Sequence, residues 1–309
     1  MFGNSMKVLF ALLASCLLFA APILAESKFP TGRRHHFSED RLWGFDGHEI
    51  SAWIATFNLT AAATQAVETL VGPGGLPSIA TWADNIKGDS KYKWASELHY
   101  VTTLDNPPTS CSFQMSRDCP RKNCVVGAVY NYTEQLTEDY NGSTKTRQEA
   151  LKFLTHFVQD LHNPMHVYGK DRGGNDFPVY WYSTKTNMHS IWDSRILVRH
   201  MDDIGGDAES YLSLALHRIE TEWSHEIANW LYCPRRDGSG VPLLVPTACP
   251  EFWASQANSA HCDLPDVWGG VKPNDKLGDD YYFDNRDTVM RGIAMAGLRL
   301  AAILNEIFV

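Results

Sequence analysis

The sequence predicts a mainly α fold: a single, mostly helical domain with one small β-hairpin and long disulfide-tied loops. Three observations predict it. Apolar residues recur at helical spacing, most clearly Ala150, Leu151, Leu154, Phe157, Val158 and Leu161, a near-3.6 period that gathers them on one helix face. Only Phe177-Pro-Val-Tyr-Trp-Tyr182 combines the aromatic and β-branched content of a strand. Three cysteines fall in one proline-containing loop, Asp105 to Cys124, and two more flank another, Pro234 to Pro250.

Taken in order, Gly47 to Asn58 and Thr60 to Val71 read as helices, ended by the breaker Gly72-Pro-Gly-Gly-Leu-Pro77. Ile79 to Ile86 reads as a short helix and His99-Tyr100-Val101 as extended. Val125 to Glu138 and Arg147 to Leu161 read as helices, the second stopped by Pro164. Phe177 to Tyr182 supplies half of a hairpin. Ser190 to His200 and Glu209 to Leu231 read as helical again. A last helix from about Asp287 carries an apolar stripe of Val289, Ile293, Ala296, Leu300, Ile303 and Ile307. The chain has no internal repeat and no low-complexity linker.

A length of 309 residues suits one large domain or two ordinary ones. The formal net charge of -9 is spread along the chain, which argues against a basic groove working by counterion release. A nucleic-acid partner would need another means of attachment, and metal ions are the obvious one. Lys7 followed by the apolar run Val8 to Ala25 reads as a signal peptide (1–25) cleaved after Ala25, with an uncleaved membrane anchor as the competing reading. No other stretch can span a bilayer, so a secreted protein without a membrane anchor is expected. Residues 26–42, with Arg33-Arg34-His35-His36, are polar and aperiodic and read as a pro-segment or disordered arm. Of seven cysteines, Cys16 leaves with the signal, and the remaining six are Cys111, Cys119, Cys124, Cys233, Cys249 and Cys262. An even count in an exported chain favours three disulfides; reduced or zinc-binding thiols are the alternative. Sequons at Asn58, Asn131 and Asn141 are candidate glycosylation sites.

The chemistry concentrates between Ala150 and Asp193. His156 and Asp160 stand at i,i+4, as do His189 and Asp193, and His166 follows just beyond Pro164. Such spacing puts each pair on one helical face. A lone His–Asp pair is ordinarily a hydrogen-bonded surface pair. Two pairs with an extra histidine, set among apolar residues, require compensation for buried polar groups and suit zinc, which takes imidazole nitrogen and carboxylate oxygen.

His-Phe-x-x-Asp-x-His-x-Pro-x-His, then Gly-Gly-Asn, then His-Ser-x-Trp-Asp resembles the class I zinc-dependent nucleases. These are secreted single-strand-specific nucleases and 3′-nucleotidases. The resemblance runs from Trp43-Gly44 and His48 through Trp82-Ala83-Asp84, His99-Tyr100, Asp105-Asn106-Pro107 and the Cys111/Cys119/Cys124 spacing to Gly297-Leu-Arg-Leu-Ala301. It implies a zinc nuclease domain (43–309) of the nuclease/phospholipase C type with three zinc ions in a cleft. By that resemblance Asp84, His99, His156 and Asp160 match a first zinc site, and His166, His189 and Asp193 a second. A third would use His48 and the backbone amine and carbonyl of Trp43, with Asp160 bridging it to the first. His162 is not carried over and is expected to be structural or to support the ligands. The implied chemistry is in-line hydrolysis of single-stranded DNA and RNA to 5′-phosphates, with release of phosphate from 3′-nucleotides, by water acidified on zinc. Asp160 and Lys87 are the expected catalytic residues, and the resemblance implies a monomer.

Two positions depart from the family pattern. Lys87 replaces the usual Arg and keeps the charge without a bidentate grip on phosphate. Thr102 replaces an Asp that helps hold a base, whereas its expected partner Asn175 is retained. The resemblance further implies Cys119–Cys124 and Cys111–Cys262, leaving Cys233 with Cys249. A zinc phospholipase C, also built from an N-terminal Trp, is the nearest alternative; a non-catalytic secreted zinc- or sugar-binding protein is another. If residues 26–42 stay attached, Trp43 has no free α-amine, so removal of this segment is an expected activation step.

Overall fold

The computed structural model of the chain describes residues 46–309, apart from Asp139, Ser239, Leu264 and Gly269. The signal segment, the 26–42 arm with His35 and His36, and Trp43 lie outside the described residues.

Helix α1 (Asp46–Phe57) begins with Asp46 and Glu49 in its first turn, where carboxylates suit the positive end of the helix dipole. Helix α2 (Ala61–Val71) is capped by Thr60, whose side-chain oxygen accepts from the Ala63 N–H. The short α3 (Trp82–Ile86) presents Asp84. A 3₁₀ stretch, Lys93–His99, ends on His99. The extended reading of His99 to Val101 therefore applies only to its last two residues: Tyr100 is extended and Val101 forms a parallel bridge to Val167. Within the cysteine-stapled loop, Met115–Asp118 makes one helical turn.

Helix α4 (Val125–Glu134) packs beside α5 (Thr144–Asp160). Ser143 caps α5 by accepting from Thr146 N–H. Every residue from Phe153 to Asp160 is buried, so the C-terminal half of α5 is enclosed on all sides. Aromatic rings anchor it: Phe157 stacks on Phe153 with centroids 5.3 Å apart, and Tyr132 of α4 lies 4.8 Å from Phe153.

The expected hairpin is β1 (Pro178–Trp181) and β2 (Thr184–Asn187), antiparallel, with Val179 opposite Thr186. Asn187 then caps a helical run through its side-chain oxygen and the Ser190 N–H. That run contains a π-helical stretch, Ile191–Arg195, and continues as α6 (Ile196–Asp203). The continuous helix expected over Glu209 to Leu231 is broken. Helix α7 (Ala208–Glu220) stops, and a separate turn of helix forms at Ile227–Trp230. The break turns the fully buried Trp223 inward, under the guanidinium groups of Arg218 and Arg291 at 4.4 and 4.9 Å; burial of an indole with two cation–π contacts outweighs one continuous helix.

Helix α8 (Pro250–Asp263) follows, then β3 (Lys276–Leu277), a two-residue strand parallel to β1 that is too short to show an alternating pattern. The last helix, α9 (Asp279–Ile307), starts eight residues before the expected Asp287 (287 − 279), with Asp279 and Asp280 in its first turn. It packs along α1. Gly297 makes that approach possible, because a Cβ there would sit 2.7 Å from the Ser51 carbonyl oxygen. Cys111 bonds to Cys262, Cys119 to Cys124, and Cys233 to Cys249. These are the pairs the resemblance implies. Asn58, Asn131 and Asn141 are all exposed. Among the described residues no helix is long and apolar enough to cross a membrane.

Candidate metal centre

The buried end of α5 delivers Asp160 into a ring of histidines. Its Oδ1 lies 3.4 Å from His48 Nε2 and 3.5 Å from His166 Nδ1, and its Oδ2 lies 3.0 Å from His99 Nδ1 and 3.2 Å from His156 Nε2. Four elements or turns thus converge on one carboxylate that is 1% exposed. Helix α1 brings His48, the 3₁₀ stretch brings His99, α5 brings His156 and Asp160, and the turn after Pro164 brings His166. Asp84 on α3 closes one side, its Oδ1 3.6 Å from both His99 Nδ1 and His156 Nε2. On the other side Asp193 Oδ1 is 3.2 Å from His166 Nε2, and its Oδ2 is 3.8 Å from His189 Nε2.

Ligand-atom proximity groups these side chains as His48/Asp84/His156, His99/His156/Asp160 and His166/His189/Asp193, with the atoms of each group within 4.8 Å of one another. Those expected from the sequence are therefore brought together, except Trp43, which lies outside the described residues. The π-helical stretch holds Asp193 on the turn after His189; wide turns of this kind recur at functional sites.

A second ring fixes how each imidazole faces. His156 Nδ1 bonds to the Ala80 carbonyl, His166 Nδ1 to the His99 carbonyl and His189 Nδ1 to the Gly173 carbonyl, each at 2.8 Å. His48 Nδ1 bonds to Gln159 Oε1. All four acceptors are carbonyl oxygens, so Nδ1 donates in each case and Nε2 is the nitrogen turned to the centre. His99 is reversed: its Nδ1 faces Asp160, and its Nε2 is buried without a hydrogen-bond partner. The facing nitrogens of His156 and His99 are 3.1 Å apart. Two lone pairs brought this close, beside a carboxylate, fit a shared cation. The donor set of imidazole nitrogens and carboxylate oxygens is the one zinc takes.

The electrostatics agree with that fit. Burial opposes the charge on Asp160, yet His156 and His166 hold its carboxyl well below the usual carboxylate range. Asp84 and Asp193 are also lowered against burial, Asp84 chiefly by His156 and His48, Asp193 by its hydrogen bond with His166 and by His189. His166 is pushed up to about 9: burial lowers it, but Asp160 and Asp193 outweigh burial. Burial pushes His189 down despite Asp193. Such a cluster of ionised carboxylates around histidines is what a bound cation stabilises.

The remaining expected residues sit at the rim. Lys87 bonds to Asp84 Oδ1 at 2.8 Å, and Asp84 keeps the lysine protonated although burial opposes it. Asn175 is exposed and its amide donates to the Arg172 carbonyl; Thr102 is exposed beside Val101. The turn before Asn175 needs its glycines. Gly173 has φ +66° and Gly174 +81°, a Cβ on Gly173 would lie 2.9 Å from the Met165 oxygen, and the Gly173 carbonyl orients His189. His162 does not join the centre: its Nδ1 donates to the Val158 carbonyl and its Nε2 accepts from Arg299. Sequence reasoning missed Gln159 and Asn163. Gln159 holds His48, and the Asn163 amide donates to Asp193 Oδ1 at 2.8 Å. Their only signal was a polar side chain at variable positions inside the motif.

The S1/P1 Nuclease family model matches residues 43–309. The chain belongs to the S1/P1 nuclease family. It is 38% identical to Endonuclease 2 of Arabidopsis thaliana over 280 residues, 86% of this chain and 90% of that protein. It is 33% identical to Nuclease P1 of Penicillium citrinum over 275 residues, 86% of this chain and 97% of the relative. Against Nuclease S1 of Aspergillus oryzae the identity is 32%, covering 86% and 91% of the two chains. S1/P1 nucleases are metal-dependent hydrolases of phosphodiester bonds, which fits the His/Asp groups described above and does not favour the phospholipase C reading.

Proposed function

We propose that this S1/P1 nuclease is a secreted zinc enzyme that cleaves single-stranded DNA and RNA to 5′-phosphonucleotides and removes phosphate from 3′-nucleotides. It acts as a monomer. The observation that carries the reading is the Asp160 carboxylate, with four histidine nitrogens around its two oxygens. Asp84, His99, His156 and Asp160 would hold one zinc, His166, His189 and Asp193 a second, and His48 with Asp160 and the Trp43 backbone a third. Bound there, zinc supplies positive charge for phosphate oxygens and acidifies water near neutral pH.

The chain's own residues do the rest. The carbonyls of Ala80, His99 and Gly173 hold three imidazoles by Nδ1 and so turn Nε2 to the centre as the ligand atom. Asp160 and Asp84, held ionised, keep the cluster able to take a cation across the neutral range. Lys87, half-exposed on Asp84, puts a monodentate cation at the rim for a phosphate oxygen. Asn175 and Thr102 are both exposed and would contact an unpaired base; Thr102 offers a hydroxyl in place of a carboxylate, which relaxes base preference.

The test is Asp160→Asn, which keeps shape and removes charge. We expect it to lower kcat for single-stranded DNA at least 1,000-fold (~4 kcal/mol) and to reduce bound zinc, read by elemental analysis. Chelation should abolish cleavage, and products should carry 5′-phosphate ends. Undiminished cleavage by chelated protein would overturn the zinc reading.

A further inference from the structure

Helices α8 and α9 border a cleft of about 100 Å³ that contains none of the expected metal ligands, although Asn163, which bonds to Asp193, lies in its lining. Its lining includes His162, Trp192, Trp253 and Arg299, with the exposed Gln256 and the half-buried Ala260 on its α8 side. Arg299 is 2% exposed, lies 5.3 Å from the Trp253 ring centre, and pairs with no carboxylate among the described residues. Its donors go to three neutral acceptors: the Trp230 carbonyl at 2.8 Å, His162 Nε2 at 2.7 Å and Gln256 Oε1 at 2.7 Å. His162 Nδ1 donates to the Val158 carbonyl, which leaves its Nε2 to accept from Arg299.

A guanidinium has five N–H donors, so two remain here beyond the three committed. Burial lowers Arg299 to about 9, which leaves it charged at neutral pH. A buried charge without a counterion is costly, and this one borders a cleft whose other walls are largely indole and aliphatic.

We propose that the cleft binds a small organic carboxylate with a flat apolar body, the carboxylate on Arg299 and the body against Trp192 and Trp253. The fork of guanidinium donors matches a carboxylate, and the two indoles match a single ring. Inorganic phosphate fits poorly, since the apolar walls would leave most of its oxygens unpaired.

Benzoate titrated onto the full, zinc-loaded protein tests this, with intrinsic tryptophan fluorescence and calorimetry as readouts. We expect saturable binding complete within about 10 mM, at least tenfold weaker binding of the neutral benzyl alcohol, and no stronger binding of phosphate in competition for the same site. Arg299→Gln removes the charge, but loss of a buried network can prevent folding. Ala260→Phe instead fills the cleft from its α8 side while leaving Arg299 and the metal centre intact. It should weaken benzoate at least tenfold with nuclease activity unchanged and an unaltered circular dichroism spectrum. Equal binding of benzoate to this variant would place the carboxylate on the metal centre and overturn the proposal. Equal binding of benzyl alcohol, tighter competing phosphate, or no saturable benzoate signal would overturn it as well.

Discussion

At the scale of single residues, the site depends on second-ring acceptors as much as on ligands. Gln159 is the clearest case. Its carbonyl oxygen takes the His48 Nδ1 proton, while its own amide nitrogen is buried without a partner. The residue therefore keeps half of its hydrogen-bonding capacity unused, at some cost to stability, in order to turn His48 toward Asp160. Gln159→Leu should leave the His48 N–H unsatisfied and free the ring to rotate. Loss of such supporting bonds typically lowers metal affinity 10–100-fold. We expect the variant to lose up to one of its bound zinc ions in elemental analysis while the far-UV spectrum is unchanged. Gln159→Glu, which keeps an acceptor, should restore the metal; full zinc content in Gln159→Leu would remove Gln159 from this role. None of this is legible in sequence, because an acceptor is defined by what faces it across 111 positions of chain.

At the scale of elements, the helices with strong apolar periods were legible and the exceptions have local causes. Helix α5 follows its period, but the break after α7 contains no Gly or Pro and comes from burial of Trp223. The early start of α9 lies in Asp279 to Asp287, a polar and aromatic run whose apolar period is absent although its opening acids mark a helix start. The connection between α8 and the ligand-bearing turn is likewise tertiary. His261 Nε2 donates to the Pro164 carbonyl and its Nδ1 accepts from Trp268 Nε1, so the neutral ring clamps the turn that leads to His166. Burial pushes His261 down to about 4. The folded protein then binds this proton less readily than the unfolded chain, whose value is near 6.5. Its contribution is complete above about 6.5 and is lost as pH falls toward and through 4, by up to about 3 kcal/mol. Urea unfolding in chelator should show that loss in wild type, and His261→Gln should flatten it. Parallel pH profiles for the two proteins would exclude His261 as the cause.

At the scale of the whole molecule, the described residues supply eight of the nine expected ligand positions, and the ninth, Trp43, is set by where the mature chain begins. The family match starts at residue 43, and His48 lies on the first turn of α1, close behind that point and within the Asp160 cluster. A backbone amine can serve as a metal ligand only when it is a free terminus, since an amide nitrogen has no available lone pair. Signal cleavage after Ala25 would leave residues 26–42 in place and so deny this ligand to the third site. We expect the secreted, active protein to begin at Trp43, and a form retaining residues 26–42 to bind fewer zinc ions and to cleave single-stranded DNA at least tenfold more slowly. N-terminal sequencing and zinc analysis of both forms measure this directly. A protein that begins at Glu26 with full zinc content and full activity would show that Trp43 is dispensable, and that His48 and Asp160 hold their ion with donors from elsewhere.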